Sequence, residues 1–446
     1  MKKISLLLLL LLVSSHSFSQ SEFMTLDSCF SLLEKNYPAS KKIELLQNEK
    51  RLAVDNVKKE YLPSFDISAD LSYQSDVTTF PYNLREVGFS VNPEVFGGSG
   101  DAFMIYPEIS DFIAQPVENH VHYGVNIDIN QKIFDGGITR KKAVLTTADY
   151  DYQMCSVNVE VDKIKPVVAE MFFSIALIDG YIEQLTLAKE KLVSRREVVK
   201  IAVKNGAVLP TDLDLIDVEI LKIEGSVSER KIQKKMAVRS LKQLLNVDIK
   251  ETDSIVLPDI EIKTNAQLNR SELKLFEYSE EKLVAVDNLY ANVFPSITGY
   301  ARGGYGNPGM NLFSNKMHPY FIVGATINWK LWDWEKTKSE REIITIQRDK
   351  LALEKDAFKV GVNVSSNKYL DEIERYQMLL SKDSEIIKLM ESISQSAESK
   401  YNNGEITFSE YYERVNAEMN SKIEQNTHNI MFIRAKANYL LNLGIY

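Results

Sequence analysis

The 446-residue sequence predicts an α+β membrane protein built from two helix–strand–strand–helix repeats. Three observations lead to this fold class. Similar segments recur at a fixed offset along the chain, two very long stretches carry no turn signals, and four short segments alternate apolar and polar side chains. Each repeat therefore combines a long helix with a pair of amphipathic strands.

The N-terminal residues 1–19 have the features of an export signal. Lys2 and Lys3 give the positive start, residues 6–13 form an apolar core, and residues 17–19 are small or aromatic residues suited to cleavage. The apolar core is too short to cross a bilayer as a helix. We therefore expect this segment to be removed from an exported protein.

Charge and cysteine content exclude several classes of protein. The formal net charge of −9 argues against nucleic acid as a partner. Cys29 and Cys155 are too few for a disulfide framework, and Cys29 lies too far beyond the apolar core to be a lipidation site. No later apolar run has the length of a transmembrane helix. If the chain crosses a membrane, it must do so with strands.

An internal repeat organises the remaining chain. Asp135 aligns with Asp333 and Gly206 with Gly404 at the same offset, whereas Pro63 aligns with Pro295 at a larger one. The difference corresponds to one enlarged loop, residues 74–120, in the first copy. The pattern predicts a first repeat over residues 20–246, a linker over 247–265 and a second repeat over 266–446.

Each repeat contains one unusually long helix, from about Thr139 to Lys204 and from about Thr337 to Asn402. Roughly 66 residues at 1.5 Å each make a rod of about 100 Å, a length typical of coiled coils and helical tubes. Pro166 and Gly361 lie at similar depths in the two helices. We expect a bend or bulge at both.

Four segments alternate apolar and polar side chains, near residues 65–73, 125–133, 297–305 and 321–331, and glycines blur the third. Alternation over about nine to eleven residues fits a membrane barrel. The residues expected to face lipid are Leu71, Ile127, Ile129, Val323 and Ile327. A half-buried sheet of a soluble protein has the same alternation. Two features favour the membrane barrel over the soluble sheet, the export signal and a group of aromatic residues at the strand ends. The aromatic residues are Phe134, Trp329, Trp332 and Trp334.

Four strands are too few to close a barrel, and lipid does not tolerate an open sheet edge. Several copies of the chain must therefore share one barrel.

These features together resemble the TolC family of outer-membrane efflux proteins. The resemblance covers the chain after the signal. It rests on the paired long helices, Pro-Ser at the start of two strands, an aromatic-Asp pair after two strands, and Tyr401-x-x-Gly404 followed by acids. It implies a homotrimer, with a 12-stranded outer-membrane β-barrel in lipid above a long periplasmic α-helical barrel. It also implies two partners, a periplasmic adaptor (membrane fusion) protein and an inner-membrane pump. Loop 74–120 departs from the family, and whether it plugs the mouth or binds another partner is left open.

The resemblance further assigns residues at the inner end of the helical barrel. Gly206 and Gly404 would mark the tips of two helical hairpins, where an adaptor docks. Glu410 and Glu413 would form an acidic periplasmic gate, with Asp212 as the related acid of the first repeat. A simpler interpretation is that acids in the first turn of a helix are favoured by the helix dipole.

No sequence pattern predicts catalysis, a cofactor or a metal site. Residues 303–306 lack the Lys-Ser/Thr of a phosphate loop, and His120 and His122 have no further ligands nearby. The expected role is a passive export duct for small molecules or polypeptides. The sequence leaves open which cargo is exported, and whether a proton gradient or ATP drives the inner-membrane pump. The alternatives are a periplasmic coiled-coil adaptor or scaffold, which should carry a single hairpin and a compact β-domain, and a surface hydrolase, which lacks a recognisable site.

Overall fold

The computed structural model describes residues 24–76, 89–90, 104–105, 120–206, 208–247, 255–262, 267–291, 294–311, 314 and 316–446. The expected signal lies outside these residues, as do most of loop 74–120 and parts of the linker 247–265. The described chain is mostly helical with a small antiparallel sheet, which confirms the α+β composition.

Eight helices and six strands are defined in the described part of the chain. The helices are α1 (Leu26–Asn36), α2 (Pro38–Lys59), α3 (Ile138–Asp162), α4 (Lys165–Lys204), α5 (Pro210–Leu245), α6 (Ser271–Tyr290), α7 (Lys336–Asn402) and α8 (Phe408–Leu443). The strands are β1 (Ser64–Tyr73), β2 (Phe89–Ser90), β3 (Met104–Ile105), β4 (Val121–Phe134), β5 (Ser296–Asn307) and β6 (His318–Asn328).

The chain divides into two compact units. The first comprises residues up to 49, 148–283 and 346–446, and the second comprises residues 50–147 and 284–345. The first unit is helical and has two apolar cores.

The first core forms around helix α1. Its apolar residues recur at helical spacing on one face, and Leu26 and Leu33 are fully buried there. They pack in one cluster with Phe172 and Phe173 of α4 and with Leu241 of α5. Cys29 lies in the same cluster, and both it and Cys155 are buried and unpaired. Burial raises the pKa of the Cys29 thiol to about 12, against a smaller lowering by its hydrogen bond with Ser28.

The second core lies further along the long helices. Leu192 of α4, Ile216 of α5 and Phe408 of α8 are buried in one cluster there. Apolar side chains at spacings of three, four and seven residues form the contacting faces, as in coiled coils. The helices form two pairs, α4 with α5 and α7 with α8, and both pairs end close to this second core. Phe408, which belongs to the core, is the first residue of α8.

The second unit contains a four-stranded antiparallel sheet in the order β1–β4–β5–β6. The register is continuous except for a bulge between Lys132 and Phe134, which returns Phe134 to the face that carries Ile297. Strands β1 and β6 are the two sheet edges. Strand β6 ends at Asn328, three residues before the predicted end at residue 331.

The two expected helix irregularities differ. The first long helix is interrupted, since α3 ends at Asp162 and α4 begins at Lys165 with Pro166 in its first turn. Proline lacks the N–H that would continue the ladder, so it suits the first turn of a new helix. The second long helix continues through Gly361 as a single 67-residue element. Glycine only weakens a helix, by about 1 kcal/mol relative to alanine, and retains its N–H. The first long helix is therefore interrupted at Pro166, and the second is continuous at Gly361, where a bend stays a prediction.

A membrane-spanning helix is not found among the described residues, where no helix is both long and apolar enough.

Candidate functional site

One face of the sheet is apolar and exposed. The register places Ile129 opposite Phe65 and Ala301, and Ala301 opposite Val323. Ile127 and Ile327 lie on the same face, as does Leu71 opposite Tyr123. Val323 and Leu71 are 74% and 77% exposed, whereas Ile129 is half-buried between its neighbours. The structure thus brings together all five residues predicted to face lipid, and their contact with lipid stays a prediction.

The opposite face of the sheet is polar. Asn126, which is buried, donates from Nδ2 to Asp70 Oδ1 at 2.9 Å and accepts a hydrogen bond from the Tyr320 hydroxyl. Arg302 pairs with Asp128 across β4 and β5 at 2.5 Å. These bonds join all four strands and leave charged groups on a face that suits water.

One glycine of the third predicted strand and one of the fourth have a packing role on this polar face. Gly304 lies opposite Tyr320 and Gly324 opposite Tyr300. A Cβ at Gly304 would lie 2.5 Å from the Tyr320 ring, and a Cβ at Gly324 would lie 2.5 Å from the Tyr300 hydroxyl. Each tyrosine covers a glycine on the neighbouring strand, so a larger residue there would require the tyrosine side chain to move.

The repeated aspartates cap the starts of the long helices. Asp135 accepts hydrogen bonds from the Tyr61 hydroxyl at 2.5 Å, from Gly137 N at 2.8 Å and from Thr139 N at 2.7 Å. Asp333 accepts from Thr337 N at 2.9 Å and from the Thr337 hydroxyl. Burial alone would raise the pKa of Asp135, but the hydrogen bonds from Thr139, Tyr61 and Gly137 outweigh it and lower the pKa to about 2. The aromatic-Asp motif is therefore a helix cap.

Gly206 and Gly404 lie at the ends of α4 and α7, each with a φ of 73°. Nothing lies within 4 Å of an added Cβ at either position, so the left-handed backbone, not space, is what favours glycine. At the second turn, Gly404 N donates to Tyr401 O at 3.0 Å and Glu405 N donates to Lys400 O at 2.9 Å. Both glycines therefore end a helix and reverse the chain. A docking role for these turns stays a prediction.

The three predicted gate acids have different surroundings. Glu410 forms a capping box with Thr407, in which Thr407 N donates to Glu410 Oε2 at 2.8 Å and Glu410 N donates to Thr407 Oγ1 at 3.3 Å. These bonds to Thr407 lower the pKa of Glu410. Glu413 is exposed, and Asp212 is half-buried in the first turn of α5, whose N-cap Leu209 makes no side-chain bond. The capping role of Glu410 agrees with the simpler interpretation, and the acidic gate stays a prediction.

A link between the two helical hairpins escaped the sequence analysis. The Arg195 guanidinium on α4 lies 4.8 Å from the Tyr401 ring centre and 5.3 Å from that of Tyr411, and these rings stack on each other at 5.4 Å. Arg195 also hydrogen-bonds Asn402 and lies 3.8 Å from Glu398. Its partners lie about 200 residues away in the chain, so no local pattern identifies them.

A buried carboxylate strengthens the same link. Glu418 on α8 is 5% exposed and lies 3.4 Å from Lys191 of α4 and 2.7 Å from Lys422. Lys422 also pairs with Glu391 of α7 at 2.7 Å. Burial would raise the pKa of Glu418, but hydrogen bonds from Lys422 and Ser394 outweigh it, so the pKa is lowered. Ionic contacts thus connect α4, α7 and α8.

In the part of the chain that the structure describes, no group of three or more His, Cys, Asp or Glu side chains is placed to hold a metal ion. The His120 Nδ1 lies 2.9 Å from Gln74 O and its ring stacks on Tyr73 at 5.7 Å, so this histidine closes the end of the β1–β4 pair.

Comparisons with known proteins identify the fold. No family model and no curated protein sequence matches the chain. The structure is similar to the Campylobacter jejuni CmeC outer membrane channel, with a TM-score of 0.64 and 12% identity over 94% of this chain and 85% of that one. It is also similar to the outer membrane protein VceC of Vibrio cholerae, with a TM-score of 0.64 and 11% identity over 94% of this chain and 96% of that one. The open-state MtrE outer membrane channel of Neisseria gonorrhoeae is similar as well, with a TM-score of 0.65 and 12% identity over 94% of this chain and 88% of that one. The chain therefore has the fold of bacterial outer-membrane channels, as the resemblance to the TolC family predicted.

Proposed function

We propose that the chain is one subunit of a homotrimeric outer-membrane channel, a passive duct for export and not an enzyme. The observation that carries this proposal is the agreement of fold with solved outer-membrane channels over 94% of the chain. A second support comes from the sheet, whose apolar face is exposed while its polar face carries Asp128 paired with Arg302. That arrangement suits lipid outside and water inside.

The edges of the sheet support sharing of one barrel. Because four antiparallel strands leave β1 and β6 as edges running in opposite directions, β6 of one copy can pair antiparallel with β1 of the next. Each unpaired N–H or C=O group at a sheet edge costs several kcal/mol in hydrocarbon. Closing the barrel pairs these groups and so removes that cost. Three copies would give the twelve strands of a closed barrel, with the repeats 20–246 and 266–446 each contributing two strands per copy.

The helical part suits the periplasmic side of such a channel. The turns at Gly206 and Gly404 end two long hairpins, and on this proposal they are the docking surface for a periplasmic adaptor protein that connects to an inner-membrane pump. Glu413, which is exposed beside that turn, is the better placed of the two second-repeat acids to line a periplasmic gate, since Glu410 caps its helix.

The test is fractionation followed by conductance. The protein should separate with the outer membrane, require detergent for extraction and form conducting channels after insertion into a planar bilayer. The alternative, a periplasmic adaptor or scaffold, predicts release by osmotic shock without detergent and no conductance. Recovery of a shock-released, non-conducting protein would therefore refute the channel and favour the scaffold.

A further inference from the structure

One row of residues on the polar face of the sheet crosses all four strands. The register aligns Ser68 of β1 with Asn126 of β4. Asn126 in turn lies opposite Gly304 of β5, and Gly304 lies opposite Tyr320 of β6. Tyr320 is on an edge strand, yet its hydroxyl donates a hydrogen bond to Asn126, two strands away. Because neighbouring strands are about 4.8 Å apart, the side chain must cross β5 to make this bond. The Tyr320 ring therefore lies along the sheet and does not stand away from it.

Gly304 makes this position of the ring possible. A Cβ at Gly304 would lie 2.5 Å from the Tyr320 ring and 2.7 Å from its hydroxyl oxygen, and it would also meet Asn126 Oδ1. Non-bonded carbon atoms prefer a separation of about 3.5–4.0 Å, so a side chain at this position would displace the ring. Gly303, the next residue, lies on the opposite face, and nothing lies within 4 Å of a Cβ added there. A substitution at Gly303 therefore leaves the ring in place.

Two further large side chains of the same face are also held against the sheet. The Tyr300 hydroxyl lies 2.5 Å from the position of a Cβ at Gly324, so this ring covers the neighbouring strand β6. The Arg302 guanidinium pairs with Asp128 on the other neighbouring strand, β4, at 2.5 Å. In each case a side chain that is long enough to stand upright is directed sideways onto an adjacent strand.

We propose that Gly304 and Gly324 set the bore of the barrel, because they let Tyr320 and Tyr300 lie flat against its wall. This inference rests on the proposed function, since it requires the polar face to line a water-filled lumen shared by three copies. Twelve strands about 4.8 Å apart and tilted by about 40° give a backbone diameter of roughly 24 Å. Two upright tyrosine rings from each copy would fill a large part of that lumen. Flat rings leave a width that the backbone determines, so cargo is limited by its size and not by contact with one side chain.

Single-channel conductance in planar bilayers tests this inference. G304V should lower the conductance, because a branched side chain under Tyr320 forces the ring into the lumen. G303V is the matched control, since it adds the same side chain to the same strand on the opposite face. Its conductance should equal that of the natural protein. Equal conductance of G304V and G303V would overturn the inference.

Removal of the ring gives a second readout, which applies even if G304V assembles poorly. Y320A should change the conductance little, because a ring that lies flat occupies little of the lumen. G304V/Y320A should regain the conductance of the natural protein, since no ring remains to be displaced. A large rise in conductance for Y320A would overturn the inference, as would a double variant that conducts as poorly as G304V.

The same recordings separate this inference from the proposed function. A natural protein that forms no conducting channel would overturn both. A conducting natural protein whose conductance does not respond to G304V would overturn the role of the glycines alone.

Discussion

The Asp135 cap gives the sharpest stability prediction. Asp135 is 3% exposed and accepts three hydrogen bonds of 2.8 Å or less, from Tyr61, Gly137 and Thr139. Asp135→Asn keeps the shape but replaces one accepting oxygen by a donor and removes the charge. Hydrogen bonds to a charged group contribute about 1.5–3 kcal/mol each. Since one oxygen is retained, we expect a loss of about 3 kcal/mol in the free energy of unfolding.

The pH dependence of this loss has a defined sign. The pKa of Asp135 is lowered to about 2, below the value of about 3.9 for an unfolded aspartate. A lowered pKa means that the stabilisation is complete above pH 4 and is lost as the pH falls from about 4 towards 2. The difference between the natural protein and D135N should therefore be largest at neutral pH and should shrink in acid.

Urea unfolding of the detergent-solubilised protein, followed by circular dichroism at pH 7 and at pH 3, measures both effects. Asp333→Asn is the matched control, because Asp333 caps α7 in the same way but is half-buried, so its loss should be smaller. Equal stability of D135N and the natural protein at pH 7 would refute the reasoning, as would a difference that grows in acid.

Three further predictions concern the barrel and the helical tips. Ile129→Arg should reduce assembly in outer membranes, since a charge on the lipid face costs about 2–4 kcal/mol at the midplane, while Asn130→Arg on the polar face should be tolerated; equal loss of membrane-assembled protein from both would contradict the face assignment. E410Q/E413Q should relieve block of bilayer conductance by multivalent cations from the periplasmic side, because glutamine can keep the capping bond without the charge; unchanged block would place the gate elsewhere. Gly404→Leu should strain the left-handed turn by about 1–2 kcal/mol and impair export more than assembly, whereas normal export with disrupted trimers would contradict a docking role.

The sequence predicted the sheet well because strand alternation depends on local residue order. Ile127 and Val323 lie on the apolar face that period-two alternation assigns to them, although Ile127 and its register partner Gly303 are far apart in the chain. The starts of the two long helices after Asp135 and Asp333 were also predictable from the sequence. A capping residue acts within four positions of itself, so its effect is local in the chain.

Features that depend on distant partners were not predictable. Gly304 of β5 blurred the alternation because the side chain that covers it, Tyr320, comes from the next strand. Arg195 meets Tyr401 and Tyr411 only after the two hairpins have packed, so its sequence neighbours carry no sign of the contact. The acidic gate was assigned from resemblance and stays a prediction, and the structure adds a local capping role for Glu410 that the sequence analysis did not assign to it by name.

The central claim is that three copies close one barrel by pairing β6 with β1 of the next copy. Native mass spectrometry of the complex extracted from outer membranes in detergent measures the number of chains directly. We predict a single species of three chains, which dissociates to single chains only when the sheet unfolds. A predominant species of one or two chains, still inserted in the membrane before extraction, would contradict the shared barrel.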